Sequence, residues 1–111
     1  MIRPTYDAML LLFAHAQSHL TTEELRSLSQ LSEHASTEAL RLGDVLEGVG
    51  CLVDADEDIG GAGSFRDKQG AADLLWSIRH HLEAIAGMAL VGSEASFLLR
   101  ERLLRREDIT I

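Results

Sequence analysis

A chain of 111 residues with 18 acidic side chains, 10 basic ones and five histidines carries a formal charge of −8. With 46% hydrophobic and 25% charged residues it falls in the globular range, which excludes wholesale disorder and suits one domain over residues 1–111. The charge argues against gripping nucleic acid by phosphate neutralisation, and no apolar run approaches the roughly 18 residues of a membrane span. The single cysteine, Cys51, excludes an internal disulfide framework.

Near the start, Arg3, the apolar run Ala8–Ala14 and Ala14-His15-Ala16 loosely imitate a secretory signal. A single basic residue, Asp7 against the run and the run's shortness speak against that reading. A cytoplasmic protein is expected.

The first helix is expected to begin at Pro4 or Thr5, where proline's missing amide costs nothing. Tyr6, Met9, Leu10, Phe13, Ala16 and Leu20 recur at helical spacing, and Leu11 and Leu12 widen their stripe. Thr21-Thr22-Glu23-Glu24 reads as a capping box. It opens a second helix whose stripe runs from Leu25 through Leu42 to Val49, ending near Gly48 or Gly50. Ser32, Ser36 and Thr37 weaken its middle, so residues 22–49 form either one helix or a broken one.

Residues 51–66 combine Asp54, Asp56, Glu57 and Asp58 with Gly60, Gly61 and Gly63, which favours an acidic, glycine-rich loop. Helical periodicity resumes at Gln69 and continues to about Arg106. It either stops near Gly92, with Ser93 capping a last helix, or runs on with a bend there. Period-two alternation is lacking, so the expectation is all-α: a compact bundle of three to five helices. Residues 84–91 are apolar all round, more than a small bundle can cover. A homodimer through that segment or through the first helix is therefore expected.

The candidate chemistry is sparse. His15 and His19 stand four apart, a chelating spacing on a helix, but Ala16 occupies the place of the glutamate that a zinc protease requires. His80 and His81 diverge by about 100° on a helix, leaving His80 and Glu83 as neighbours across one turn. Asp54-x-Asp56-x-Asp58 copies the opening of a calcium loop, yet Ile59 and Phe65 occupy the positions that need glycine and glutamate. The run Gly60–Ser64 lacks the Lys-Ser/Thr ending of a phosphate loop, and the acids before it repel phosphate. Cys51 has no base close in sequence to lower its pKa, so a small buried apolar residue is expected there. Arg100, Arg102, Arg105 and Arg106 complement the dipole at a helix C-terminus. No cofactor, no metal and no catalytic residue follow from these patterns.

Charge is uneven: residues 1–58 hold 11 acids and three bases, residues 59–111 seven of each. The expectation is a non-enzymatic, acidic, helical interaction protein that binds and inhibits or occludes a partner protein with a basic surface. Carboxylates would stand where phosphates otherwise sit, as in phage or mobile-element inhibitors such as anti-CRISPR proteins, an analogy of size and charge alone. An immunity protein or antitoxin is the alternative, and a metal- or calcium-responsive protein using the acidic loop or His15/His19 a further one. The contact residues expected are Asp54, Asp56, Glu57 and Asp58 in the loop, then Glu23, Glu24 and Glu33 on the second helix.

Overall fold

A helix that is apolar on more than one face needs several neighbours to cover it, and that requirement organises the molecule. The computed structural model describes residues 3–59 and 68–109, and the side chains of 3–55 and 69–106. Its elements are α1 (Pro4–Ala16), α2 (Thr22–Ser29), α3 (Leu31–Ile59) and α4 (Lys68–Ile109). α4 is the hub, since α1, α2 and α3 all pack on it while touching one another little. The protein is an all-α bundle, as expected, with no strand among the described residues.

α1 runs parallel to α4, with Tyr6 beside Glu83, Met9 beside Gly87, and Leu20 beside Arg102. α3 runs antiparallel, with Ser32 at Ala89 and Gly92, and Glu38 facing His81. Ala35, Leu42 and Ile85 form a buried cluster with Ile78 and Met88 packed against it. Leu25 of α2, with Val91 and Ala95 of α4, makes up the rest of the buried apolar set among the described residues. With a 42-residue hub the molecule is long, 72 × 25 × 17 Å. Its radius of gyration of 19.9 Å compares with about 13 Å for a spherical domain of this length.

Several expected boundaries move. α1 stops at Ala16, four residues short of Leu20, because the capping box next in line needs Thr21 extended (φ −73°, ψ 163°). Both bonds of that box are present: the Glu24 amide donates to Thr21 Oγ1 at 3.1 Å, and the Thr21 amide to Glu24 Oε1 at 2.8 Å. The break inside 22–49 falls at Gln30, ahead of Ser32. There the Ser29 hydroxyl donates to the Arg26 carbonyl at 2.7 Å, and the Gln30 amide turns to Ser27. Gly48 and Gly50 do not end a helix. α3 continues to Ile59, so residues 51–59, expected as the start of a loop, are helical. The remainder of that loop, 60–66, lies outside the described residues.

α4 runs unbroken through Gly92, which serves packing and ends nothing. Over Gln69–Arg106 it also contains an 18-residue window of mean hydropathy 1.5, 28% of it buried. By length and composition this helix is able to cross a bilayer, which corrects the reading that no segment suits one. The hub of a helical bundle fits the same description.

Candidate functional site

α1 is fastened to α4 at both ends by polar contacts. At its start Arg3 offers no side-chain cap, so the first-turn amides lack an acceptor on their own helix. Glu83, only 7% exposed, supplies one from α4: its Oε1 accepts the Tyr6 amide at 3.1 Å. A carboxylate at a helix N-terminus also meets the favourable end of the helix dipole. Glu83 Oε2 has no hydrogen-bond partner, and His80 Nδ1 lies 3.8 Å away. Past the other end of α1, Arg102 Nη1 donates to the Leu20 carbonyl at 2.7 Å. Arg102 therefore braces the fold, a role beyond the dipole complement expected for its cluster. Glu83→Ala is expected to lower stability by about 1–3 kcal/mol, because it strips the cap from α1. Urea unfolding followed by circular dichroism checks this, and an unchanged midpoint would show that the cap contributes nothing.

Between the fastened α1 and α2 lies a hollow of about 290 Å³ lined by Met9, Leu12, Phe13, Leu28, Leu31 and Val91 among others. Its lining is almost wholly apolar. Leu20 and Leu28 continue into an adjoining hollow bordered by Glu23, Glu24 and Ser27. Apolar floor and carboxylate border thus form one surface. Leu12, on the outer wall, is 70% exposed.

The expected acidic contact residues are not brought together. Glu23 and Glu24 are exposed in the first turn of α2, where Glu23 pairs with Arg26 at 3.3 Å and Glu24 closes the capping box. Glu33 is exposed in the first turn of α3. Asp54 is exposed near the far end of that helix, about 30 Å from Glu33 at 1.5 Å per residue. Asp56, Glu57 and Asp58 have helical backbone, and their side chains lie outside the described residues. The apolar groove beside Glu23 and Glu24 went unnoticed in the sequence. Its signal was the excess width of the Leu11–Leu12 stripe.

Among the described residues the ion-binding alternatives find no geometry, and the calcium-like pattern beyond Asp54 has its side chains outside them. His19 sits in a turn beyond α1, so His15 and His19 do not share a helix face. The backbone from Asp54 to Asp58 is helical. No group of three or more His, Cys, Asp or Glu suited to a metal occurs among the described residues. Glu38 does gather partners, with Arg41 at 3.0 Å, His81 at 3.5 Å and His34 at 4.0 Å, all at the surface. Cys51 is exposed on α3, a correction to its expected burial. His34, on the same helix, is about 25 Å away along the axis.

This architecture, three helices arrayed on a fourth, defines a small all-α protein with an apolar groove between α1 and α2. Comparison with protein-family models, curated proteins and solved structures found no match.

Proposed function

We propose that the chain is an interaction protein without catalytic activity, which takes an apolar, basic-flanked segment of a partner protein into the groove between α1 and α2. The observation that carries this reading is the continuity of an apolar hollow with a carboxylate border through Leu20 and Leu28. An apolar floor supplies burial on binding, and Glu23 and Glu24 select for positive charge at the edge. The −8 charge of the chain adds long-range attraction for a basic partner and repels nucleic acid that competes for it. Occlusion of a basic working surface, and hence inhibition, is the sharpest form of this reading. Asp54, near the far end of α3, belongs to a different part of the surface.

The test is a tagged pull-down from the source cell, eluted at low and then high salt and weighed by native mass spectrometry. A stoichiometric protein released by salt is expected. Glu23→Lys is expected to slow its association about tenfold at low salt, with the difference shrinking as salt rises. Leu12→Glu, which places a charge on the apolar wall, is expected to abolish capture while leaving helicity intact. Capture unaffected by either substitution would remove the groove from the interface.

A further inference from the structure

α1, α2 and α3 cover three sides of α4 and leave the fourth open. At about 100° per residue, Ile85, Val91, Gly92 and Ala95 turn toward the neighbouring helices, and all four are buried. The opposite line is Leu75, Leu82, Ala86, Ala89, Ser93, Phe97 and Leu104, and every one of them is exposed. The four large side chains are each more than half exposed. This corrects the expectation for residues 84–91: Gly87 seats Met9 of the same chain, and only the Ala86–Ala89 side of the segment faces outward.

The stripe has an internal symmetry. Read outward from the Ala89–Leu90 bond it shows small residues first (Ala86 and Ser93), then large ones (Leu82 and Phe97), then leucines (Leu75 and Leu104). A closed two-fold interface demands a patch that maps onto itself in this way. We propose that the stripe is such an interface, with a second copy of the chain laying its α4 antiparallel across it about an axis at Ala89 and Leu90. Leu75 then meets the second copy's α4 at the height of Leu104, and Leu82 at the height of Phe97. The small residues at the centre let the two backbones approach closely.

No acid of α4 lies on this face to attract a basic partner. Within the span of the stripe, the acids of α4 are Glu83, Glu94 and Glu101, and all three lie on the side toward α1. In this register Arg79 stands at the height of the second copy's Arg100, a like-charge pair that burial of the apolar stripe has to outweigh. The exposed surface of this elongated chain is ample for such an interface. The chain exposes 8018 Å², against roughly 6,100 Å² for a monomer of its 12.2 kDa, and a standard interface covers about 800 Å² of each partner. In α3, Gly43, Gly48 and Gly50 all have nothing of their own chain within 4 Å of an added Cβ, and Gly43 and Gly50 share one side of the helix. Each mid-helix glycine costs about 1 kcal/mol relative to alanine. Helical rotation places both beside the stripe, on the side of the α3–α4 seam away from the Glu38–His81 pair. There they leave room for the crossing helix.

Sedimentation equilibrium at micromolar concentration is the first measurement, with an expected mass of twice 12.2 kDa. Ala86→Glu and Ala89→Glu put like charges across the axis at exposed helical positions, so they spare the monomer fold. Each is expected to weaken the dimer at least about a hundredfold with helicity unchanged. In a Cys51→Ser background, mixing Ala86→Cys with Ser93→Cys chains is expected to give the mixed disulfide in preference to either self-linked product. A monomeric wild-type chain overturns the proposal, as does a dimer indifferent to both glutamates. Self-linked Ala86→Cys chains would overturn the antiparallel register. Flotation of the monomer with phosphatidylcholine vesicles would assign the stripe to a bilayer instead. Leu12→Glu, in the α1–α2 groove, is expected to leave the dimer intact, so failure here and failure of the groove reading are separable.

Discussion

Gly92→Ala is expected to destabilise the chain by about 3 kcal/mol, whereas Gly87→Ala is expected to change stability by less than about 1 kcal/mol. Both glycines are buried inside α4, and in an isolated helix both would gain from alanine. Their surroundings separate them. A Cβ on Gly92 would run into the Ser32 amide and hydroxyl and come within 3.1 Å of the Leu31 carbonyl carbon. Those atoms are the first turn of α3, fixed by the Gln30 junction on one side and by the Ser32 hydroxyl's 3.4 Å bond to the Ala89 carbonyl on the other. Backbone held in this way cannot swing aside, so α3 must lift from α4. At Gly87 the obstacle is Met9 Sδ at 2.6 Å, the far end of a flexible side chain beside an open hollow. The thioether turns away at little cost, and the helix-propensity gain offsets it. Urea midpoints of the two variants, measured together, check the contrast. Equal losses would mean that α3 does not approach α4 at Gly92.

What was legible in the sequence follows from how local each signal is. The capping box at Thr21–Glu24 involves four consecutive residues and appears as read, as does a helix opening at Pro4. The class, all-α, came from apolar spacing within single helices and also stands. Breaks were harder, because they depend on which backbone bond wins. Ser29 takes the Arg26 carbonyl and breaks the helix, whereas three glycines in α3 fail to. The meaning of Gly92 was out of reach, since only the approach of α3, some 60 residues earlier in the chain, makes a Cβ intolerable there.

The functional surfaces follow the same logic. That residues 84–91 and the first helix carried more apolar surface than one small bundle covers was visible from composition. Which side stays open was not, because it depends on how three other helices share α4. The acidic residues illustrate the converse. Glu23, Glu24, Glu33 and Asp54 are exposed, as solvated acids should be, yet α3 separates Asp54 from the rest by most of its length. Charge alone, counted along a sequence, does not define a patch. The polar contacts that fasten α1, Glu83 to Tyr6 and Arg102 to Leu20, join residues 77 and 82 apart.

Leu25→Ala is expected to cost about 2–5 kcal/mol, a large part of the stability of a domain this size. Leu25 is the one large side chain wholly buried among the described residues, and it belongs to a helix of eight residues. A helix so short is not stable by itself, so α2 persists through its capping box and through what Leu25 fills. Removing three carbons there leaves a cavity that the surrounding helices close only in part. Leu28, one turn on, is half-buried against the groove, and Leu28→Ala is expected to cost about half as much. The difference should be visible in calorimetry, and hydrogen exchange should show the α2 amides losing protection first. α2 also forms one wall of the proposed binding groove and carries Glu23 and Glu24. A loosened α2 therefore raises the ordering cost of binding, and Leu25→Ala should weaken capture of the partner without touching it. Should α2 keep its protection when Leu25 is truncated, the helix is held by contacts outside its own core. Measuring exchange with the dimer-breaking Ala86→Glu substitution added would then show whether the second copy supplies them.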